Sequence, residues 1–301
     1  MYLDWTYIVL VLPAVLYFTG IYIAVHLEAK RLGLRGIPRE QLPKMGKLLP
    51  KSYLLLPLVI LVVMVSTNMY TMAFSAAIAI VAAIGVFEIV RAVGLVKYKS
   101  ILSVCLLLAL FVPFSQYLFS YELPVVPAVI YAFTLFLFAH TIIHHDSLSF
   151  KEIVVVYAMS LLIPFALSTM LYARDHGGVH GIFYFVLILI GAWSSDIGAY
   201  FIGSFLGRHK LIPEISPKKT VEGFVGGIAS CVIVMLLSCV CYLWLFAPQG
   251  TEFIWWRVLL MGVMSSCISV IGDLSFSLVK RTFHIKDFGN IMPGHGGALD
   301  R

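Results

Sequence analysis

Nine apolar stretches, each near the length of a membrane-spanning helix, constrain this chain more than any other feature. They run over about 5–25, 53–67, 72–90, 101–118, 124–140, 153–172, 181–206, 221–246 and 256–279, the second being short. An α-helix rises about 1.5 Å per residue, so crossing about 30 Å of hydrocarbon takes roughly 20 mostly apolar residues. The composition suits that solvent: 61% hydrophobic residues against 12% charged, with a mean hydropathy of +0.98. Soluble domains carry about twice that share of charge. The expected fold is all-α, a polytopic membrane protein of about nine transmembrane helices. Asp4 precedes the first span and no small-residue cleavage site follows it, so that span reads as retained rather than as a signal peptide.

Cytoplasmic loops of multipass proteins carry the excess of Lys and Arg. Here the loops at 26–52, 91–100, 141–152, 207–220 and 280–301 hold nearly all of them, whereas those near 68–71, 119–123, 173–180 and 247–255 carry only Arg174. The alternation predicts an N-terminus outside, a C-terminus in the cytoplasm, and loops 207–220 and 280–301 on the same cytoplasmic face. The net charge of +6 is read as this bias, with attraction to anionic lipid second. It is no argument for nucleic acid. Cys105, Cys231, Cys239, Cys241 and Cys267 all fall inside proposed spans without metal-like spacing, and read as small buried apolar residues.

Polar groups inside lipid are costly and so usually purposeful. In "GAWSSDIGAYFIGSFLGR" (191–208), Ser194, Ser195 and Asp196 sit mid-span among small residues that allow close helix approach. Two readings stand: a polar clamp between helices, or one wall of a water-filled cavity. Glu88 and Arg91, nearer the interface, read as a structural pair at i, i+3.

In "SPKKTVEGFVGG" (216–227), Ser216 and Pro217 read as a helix start. Lys218 and Lys219 then fall in the first turn, where the dipole favours anions. Either they snorkel to the interface, or a phosphate joins them at the helix N-terminus. Glu222, at i+4 from Lys218, is placed to pair with it. Without a preceding strand, neither a Walker loop nor a Rossmann turn is available.

The last segment, "SVIGDLSFSLVKRTFHIKDFGNIMPGHGGALDR" (269–301), places Asp273 inside a span, two turns before Lys280 on the same helix face. Asp287 follows in the loop, and Asp300 returns after a glycine-rich turn stiffened by Pro293. Three carboxylates around a flexible loop suit a hard cation such as Mg²⁺, which leaves positions for phosphate oxygens. Lys280, Arg281, Lys286 and Arg301 offset phosphate charge, and amides around Gly294, Gly296 and Gly297 suit an anion nest. His295 reads as ligand, acid/base or loop hydrogen-bonder; a lone histidine is most often the last, and composition alone leaves the three open.

With Ser277, Lys280, Arg281, Lys286, Asp287, Pro293, His295, Gly296, Gly297, Asp300 and Arg301 in place, "SxxKRxxxxKDxxxxxPGHGGxxDR" closely resembles the signature of phosphatidate cytidylyltransferases (CDP-diglyceride synthetases). The Ser194–Ser195–Asp196 run, Ser216–Pro217–Lys218–Lys219 with Glu222, and Gly272–Asp273 also resemble that family, in the right order. The resemblance covers roughly residues 72–301. It implies an all-helical membrane enzyme, commonly a homodimer in the cell (inner) membrane, that makes CDP-diacylglycerol and pyrophosphate from CTP and phosphatidic acid. It implies an active site with Mg²⁺, and room for K⁺, in which Asp273 and Asp300 match the metal-binding aspartates. The lysines and arginines match phosphate-facing positions.

Two departures shape the remaining expectations. The family motif runs on beyond Asp300–Arg301 into a further carboxylate and a last helix, so truncation is expected, and activity then depends on whether that helix is dispensable. Residues 12–66 resemble instead the large membrane subunit of TRAP transporters in its fused form, which predicts a chimera of segment 1–71 with a catalytic segment 72–301. The alternative function, a transporter fragment, has only Glu28 and Glu40 in a basic loop to offer as a substrate site. It leaves Asp196, Asp273 and the C-terminal loop without a purpose.

Overall fold

The computed structural model describes residues 71–119, 125–289 and 296–300. Seven α-helices occur where seven of the nine spans are expected: α1 (Thr71–Ala92), α2 (Lys99–Phe119), α3 (Val125–Ile143), α4 (Phe150–His176), α5 (Gly181–Leu206), α6 (Val221–Leu245) and α7 (Trp255–Thr282). Six are long and apolar enough to cross a membrane, and α2 is apolar over the shorter Lys99–Ser115. The spans expected at 5–25 and 53–67 lie outside the described residues. One element departs from the all-helical expectation. Between α5 and α6 a two-stranded antiparallel hairpin forms, β1 (Lys210–Ile212) and β2 (Ser216–Thr220), with Lys210 opposite Thr220 and Ile212 opposite Ser216.

The chain folds as two compact units. In the first, which takes in α5, the hairpin, α6 and α7 as far as Ser277, small residues bring α5 and α6 close together. A Cβ built on Gly203 would meet Gly223 at 3.3 Å, and one on Gly226 would meet the Ile202 Cβ at 2.5 Å. Above this contact Phe183, Leu187, Cys231, Met235, Cys239, Tyr242 and Val258 form a buried apolar cluster. The Phe183 and Tyr242 rings stack at 3.9 Å, and Tyr242 satisfies its buried hydroxyl with His180 Nδ1 at 2.8 Å. Gly226→Val should push α5 and α6 apart, because even a Cβ there would meet the Ile202 Cβ, Cδ1 and Cγ2 atoms at 2.5–2.7 Å. Overpacking of this kind costs about 1–3 kcal/mol. A lowered melting temperature of the detergent-solubilised protein is the expected result, and unchanged melting would refute the tight contact.

In the second unit α1, α2 and α4 contact one another, with α3 lying against α2 and α4. Phe74, Ala82, Val86 and Ile89 of α1, Cys105 and Val112 of α2, and Val156 and Leu171 of α4 are all buried in it. Arg174, the exception to the charge pattern of the loops, is the last-turn cation of α4 and lies 5.0 Å from the Phe74 ring centroid. Three of the thiols, Cys105, Cys231 and Cys239, are buried as expected, whereas Cys241 is exposed.

The same α1 carries a carboxylate into this core. Glu88 is 1% exposed, and it does not serve the i, i+3 pairing with Arg91 expected of it. Both of its oxygens are engaged by the chain segment that follows α7.

Candidate active site

Three elements of the first unit converge on a charged cluster. From α7, Asp273 Oδ2 lies 2.5 Å from Lys219 Nζ of β2, with Asp273 about half exposed and Lys219 largely covered. From α5, Asp196 Oδ1 accepts a hydrogen bond from the Ser269 hydroxyl at 3.2 Å and lies within electrostatic reach of both Asp273 and Lys219. One turn below, the buried Ser195 and Ser266 hydroxyls share a hydrogen bond of 2.7 Å that ties α5 to α7. Ser194 is spent on its own helix, donating to the Ile190 carbonyl at 2.6 Å. Ser195 thus bonds between helices as the clamp reading has it, Ser194 bonds within α5, and Asp196 is exposed beside the charges.

The hairpin corrects the expected helix start. Ser216–Thr220 is extended because it pairs with β1, and the helix begins at Val221. Thr220 caps it, its hydroxyl accepting from the Gly223 N–H at 3.1 Å, as an N-cap threonine does. Lys218 and Lys219 are therefore strand residues outside the helix's first turn. Successive side chains of a strand point to opposite faces, so Lys219 turns to Asp273 while Lys218 is exposed. Glu222 does not pair with Lys218. It accepts from the backbone N–H groups of Arg208 at 3.1 Å and His209 at 3.2 Å, and its Oε1 lies 2.6 Å from His209 Nδ1. It thereby fastens the residues just before the hairpin to the helix start. A strand thus does precede a helix here, but in an antiparallel pair, and no Rossmann or Walker turn results.

The second unit holds the end of α7 and the segment after it. Lys280 Nζ lies 2.9 Å from Asp300 Oδ1, a pair in which Asp300 is 5% exposed and Lys280 22%. The same ammonium lies 5.5 Å from the Phe288 ring centroid. Asp300 Oδ2 accepts from the N–H of Phe288 at 2.8 Å and of Gly297 at 3.0 Å. Burial pushes the Asp300 carboxyl up, but the bonds from Lys280, Gly297 and Phe288, with the Lys280 charge, outweigh it and hold it below its ordinary 3.8. The segment therefore folds back on its own helix, as the glycine-rich turn predicts, and Gly296 takes a left-handed φ of 94° to do so. Lys286 and Asp287 are exposed, and so is Arg281. His295, Pro293, Gly294 and Arg301 lie outside the described residues.

Sequence reasoning placed Glu88 near the interface and gave it the wrong partner, and it missed His209 and Thr220, whose roles depend on the hairpin. Among the described residues no three His, Cys, Asp or Glu side chains cluster as a ligand set. Mg²⁺ needs less than that, since it is commonly held by one or two carboxylates plus waters and substrate phosphates. Asp273 suits it: a half-exposed oxygen donor already facing a cation. A carboxylate offers about four lone-pair positions, and Asp300 spends three on the bonds above, which leaves it one.

Compared with known proteins, residues 51–301 match the model of the cytidylyltransferase family. Among curated relatives, the phosphatidate cytidylyltransferase of Bacillus subtilis (strain 168) is 36% identical over 223 residues, covering 72% of this chain and 79% of that protein. That of Staphylococcus haemolyticus (strain JCSC1435) is 43% identical over 130 residues, 43% of this chain and 46% of that protein. That of Staphylococcus saprophyticus is 36% identical over 171 residues, 56% of this chain and 61% of that protein. The expected TRAP-transporter chimera is not borne out: the family match opens at residue 51, inside the stretch read as transporter-like.

Proposed function

The chain belongs to the cytidylyltransferase family, and from that premise we propose that it transfers CMP from CTP to phosphatidic acid, giving CDP-diacylglycerol and pyrophosphate for phospholipid synthesis. A phosphate oxygen of phosphatidate attacks the α-phosphorus of CTP, and the bond from that phosphorus to the bridging oxygen of the β-phosphate breaks. Little covalent chemistry falls to the protein, whose work is positioning and charge neutralisation. The observation that carries this reading is the Asp196–Lys219–Asp273 cluster, one cation and two hard oxygen donors set side by side at the end of a hairpin. Lys219 faces substrate phosphate on this reading, and Lys218 is a second proposed phosphate cation on the strand's other face. Lys280, Arg281, Lys286 and Arg301 are proposed for the same work. Ser216, Gly296, Gly297 and His295 line the substrate, and Asp287 is the third acid. Mg²⁺, with K⁺ as companion, supplies neutralisation of the triphosphate when bound, and Asp273 and Asp300 are its proposed ligands.

The reading places the enzyme in the cell membrane as a homodimer, with the site facing the cytoplasm in keeping with the basic loops. The test is a Mg²⁺-dependent CTP–phosphatidate assay on membranes carrying the chain, set beside solute uptake. Formation of CDP-diacylglycerol without uptake is expected. Uptake without product would favour the transporter reading.

The lysines offer a second test. Replacing Lys218 and Lys219 together with Gln should weaken CTP or phosphatidate binding while leaving folding nearly intact, since charge-assisted bonds contribute about 1.5–3 kcal/mol each. That is a rise in KM of at least about tenfold. Unchanged kinetics would make both lysines interfacial.

A further inference from the structure

The signature loop is held by a residue far from it in sequence. Glu88 Oε1 accepts from the Ala298 N–H and Oε2 from the Leu299 N–H, both at 2.9 Å. The carboxylate is buried to 1% exposure where α1 meets the loop. Two glycines of the loop are explained by it. A Cβ at Gly297 would stand 2.5 Å from both Glu88 oxygens, and one at Gly289 would stand 2.5 Å from Oε1. Leu299 adds an apolar contact to the same helix, 3.1 Å from where a Gly85 Cβ would be. Asp300 meanwhile gathers Gly297, Phe288 and Lys280. The loop is thus clamped by two carboxylates that share adjacent amides.

We infer that Glu88 is a positioning residue for the reaction: it docks the glycine-rich segment onto α1 and so sets where Lys280 and Asp300 stand. The inference rests on the cytidylyltransferase reading for its functional half only. Glu88→Gln keeps the shape but replaces one acceptor oxygen with an amide donor facing an N–H, so one of the two bonds is lost and a buried donor is stranded. Groups that orient functional side chains typically cost about ten- to hundredfold when removed.

The experiment is hydrogen–deuterium exchange of the peptide from Lys286 to the end of the chain, with kcat and KM for CTP, on the full chain in detergent. For Glu88→Gln the expected result is loop exchange at least about tenfold faster with α1 still protected. With it, kcat/KM should fall about ten- to hundredfold through a raised KM. Loss of folded enzyme alone would lower kcat and leave KM where it was. Gly297→Ala, which crowds the same oxygens from the loop side, should reproduce the pattern if Glu88→Gln proves unstable. A loop as protected as in the wild type overturns the inference, and so does faster exchange with kcat/KM unchanged or with the loss confined to kcat. A wild-type chain that makes no CDP-diacylglycerol refutes the functional reading instead, and the exchange result then decides the clamp by itself.

Discussion

Asp273→Asn should lower CDP-diacylglycerol formation by at least about a hundredfold while the protein stays in the membrane at normal abundance. Asparagine keeps the shape and can still accept from Lys219, so the 2.5 Å contact has a neutral substitute. What it lacks is the charge, which the proposed Mg²⁺ requires, and loss of a single electrostatic contact to the reacting groups costs about 10²–10³ in turnover. The ion pair supplies a control. If Asp273 only neutralises Lys219, then Lys219→Gln should be equally harmful and the double variant should recover activity, since removing both partners removes the uncompensated charge. If Asp273 holds metal, the double variant should stay as inactive as Asp273→Asn, with no rescue in the cycle. Near-normal turnover with the same Mg²⁺ dependence would sink the assignment.

Asp300→Ala is expected to be nearly as severe, for a different reason. It strands the Lys280 ammonium, which is 22% exposed, and leaves the Phe288 and Gly297 amides without their acceptor. Breaking a buried pair costs about 3–5 kcal/mol, and the partial exposure of Lys280 argues for the lower end. The loop after α7 should become susceptible to protease while α5 and α6 remain protected, and activity should fall to background. A protease-resistant loop in the variant would show that Asp300 is not its fastening. The acid limit follows with the same sign. The folded carboxyl lies below its ordinary 3.8, so its contribution is complete above that value and is lost as pH falls through the folded one. From pH 5 to 8 this clamp should therefore add no pH dependence to loop protection.

Much of the molecule was legible because lipid imposes simple rules. Seven described helices lie where apolar length put them, since a backbone in hydrocarbon has to satisfy its own hydrogen bonds. The charged positions that carry the proposal stood out too, because charge inside an apolar run is costly and a glycine-rich loop with alternating cations and carboxylates suits few purposes. Asp196, Asp273 and the loop ending at Asp300 declared themselves in this way.

Partnership was not legible. The local rules of i, i+3 and i, i+4 spacing paired Glu88 with Arg91 and Glu222 with Lys218, but those carboxylates bind Ala298 and Leu299 in one case and His209 in the other. The Ser-Pro helix start lost to strand pairing, because β1 offered Ser216–Thr220 backbone partners and Thr220 made the better cap. The sequence by itself determined the solvent, the helices and the kind of chemistry, all of which depend on composition and short-range spacing. Tertiary structure alone decided which charge meets which. A buried carboxylate takes whatever donors the fold brings to it, and Glu88 found its donors 210 and 211 residues away.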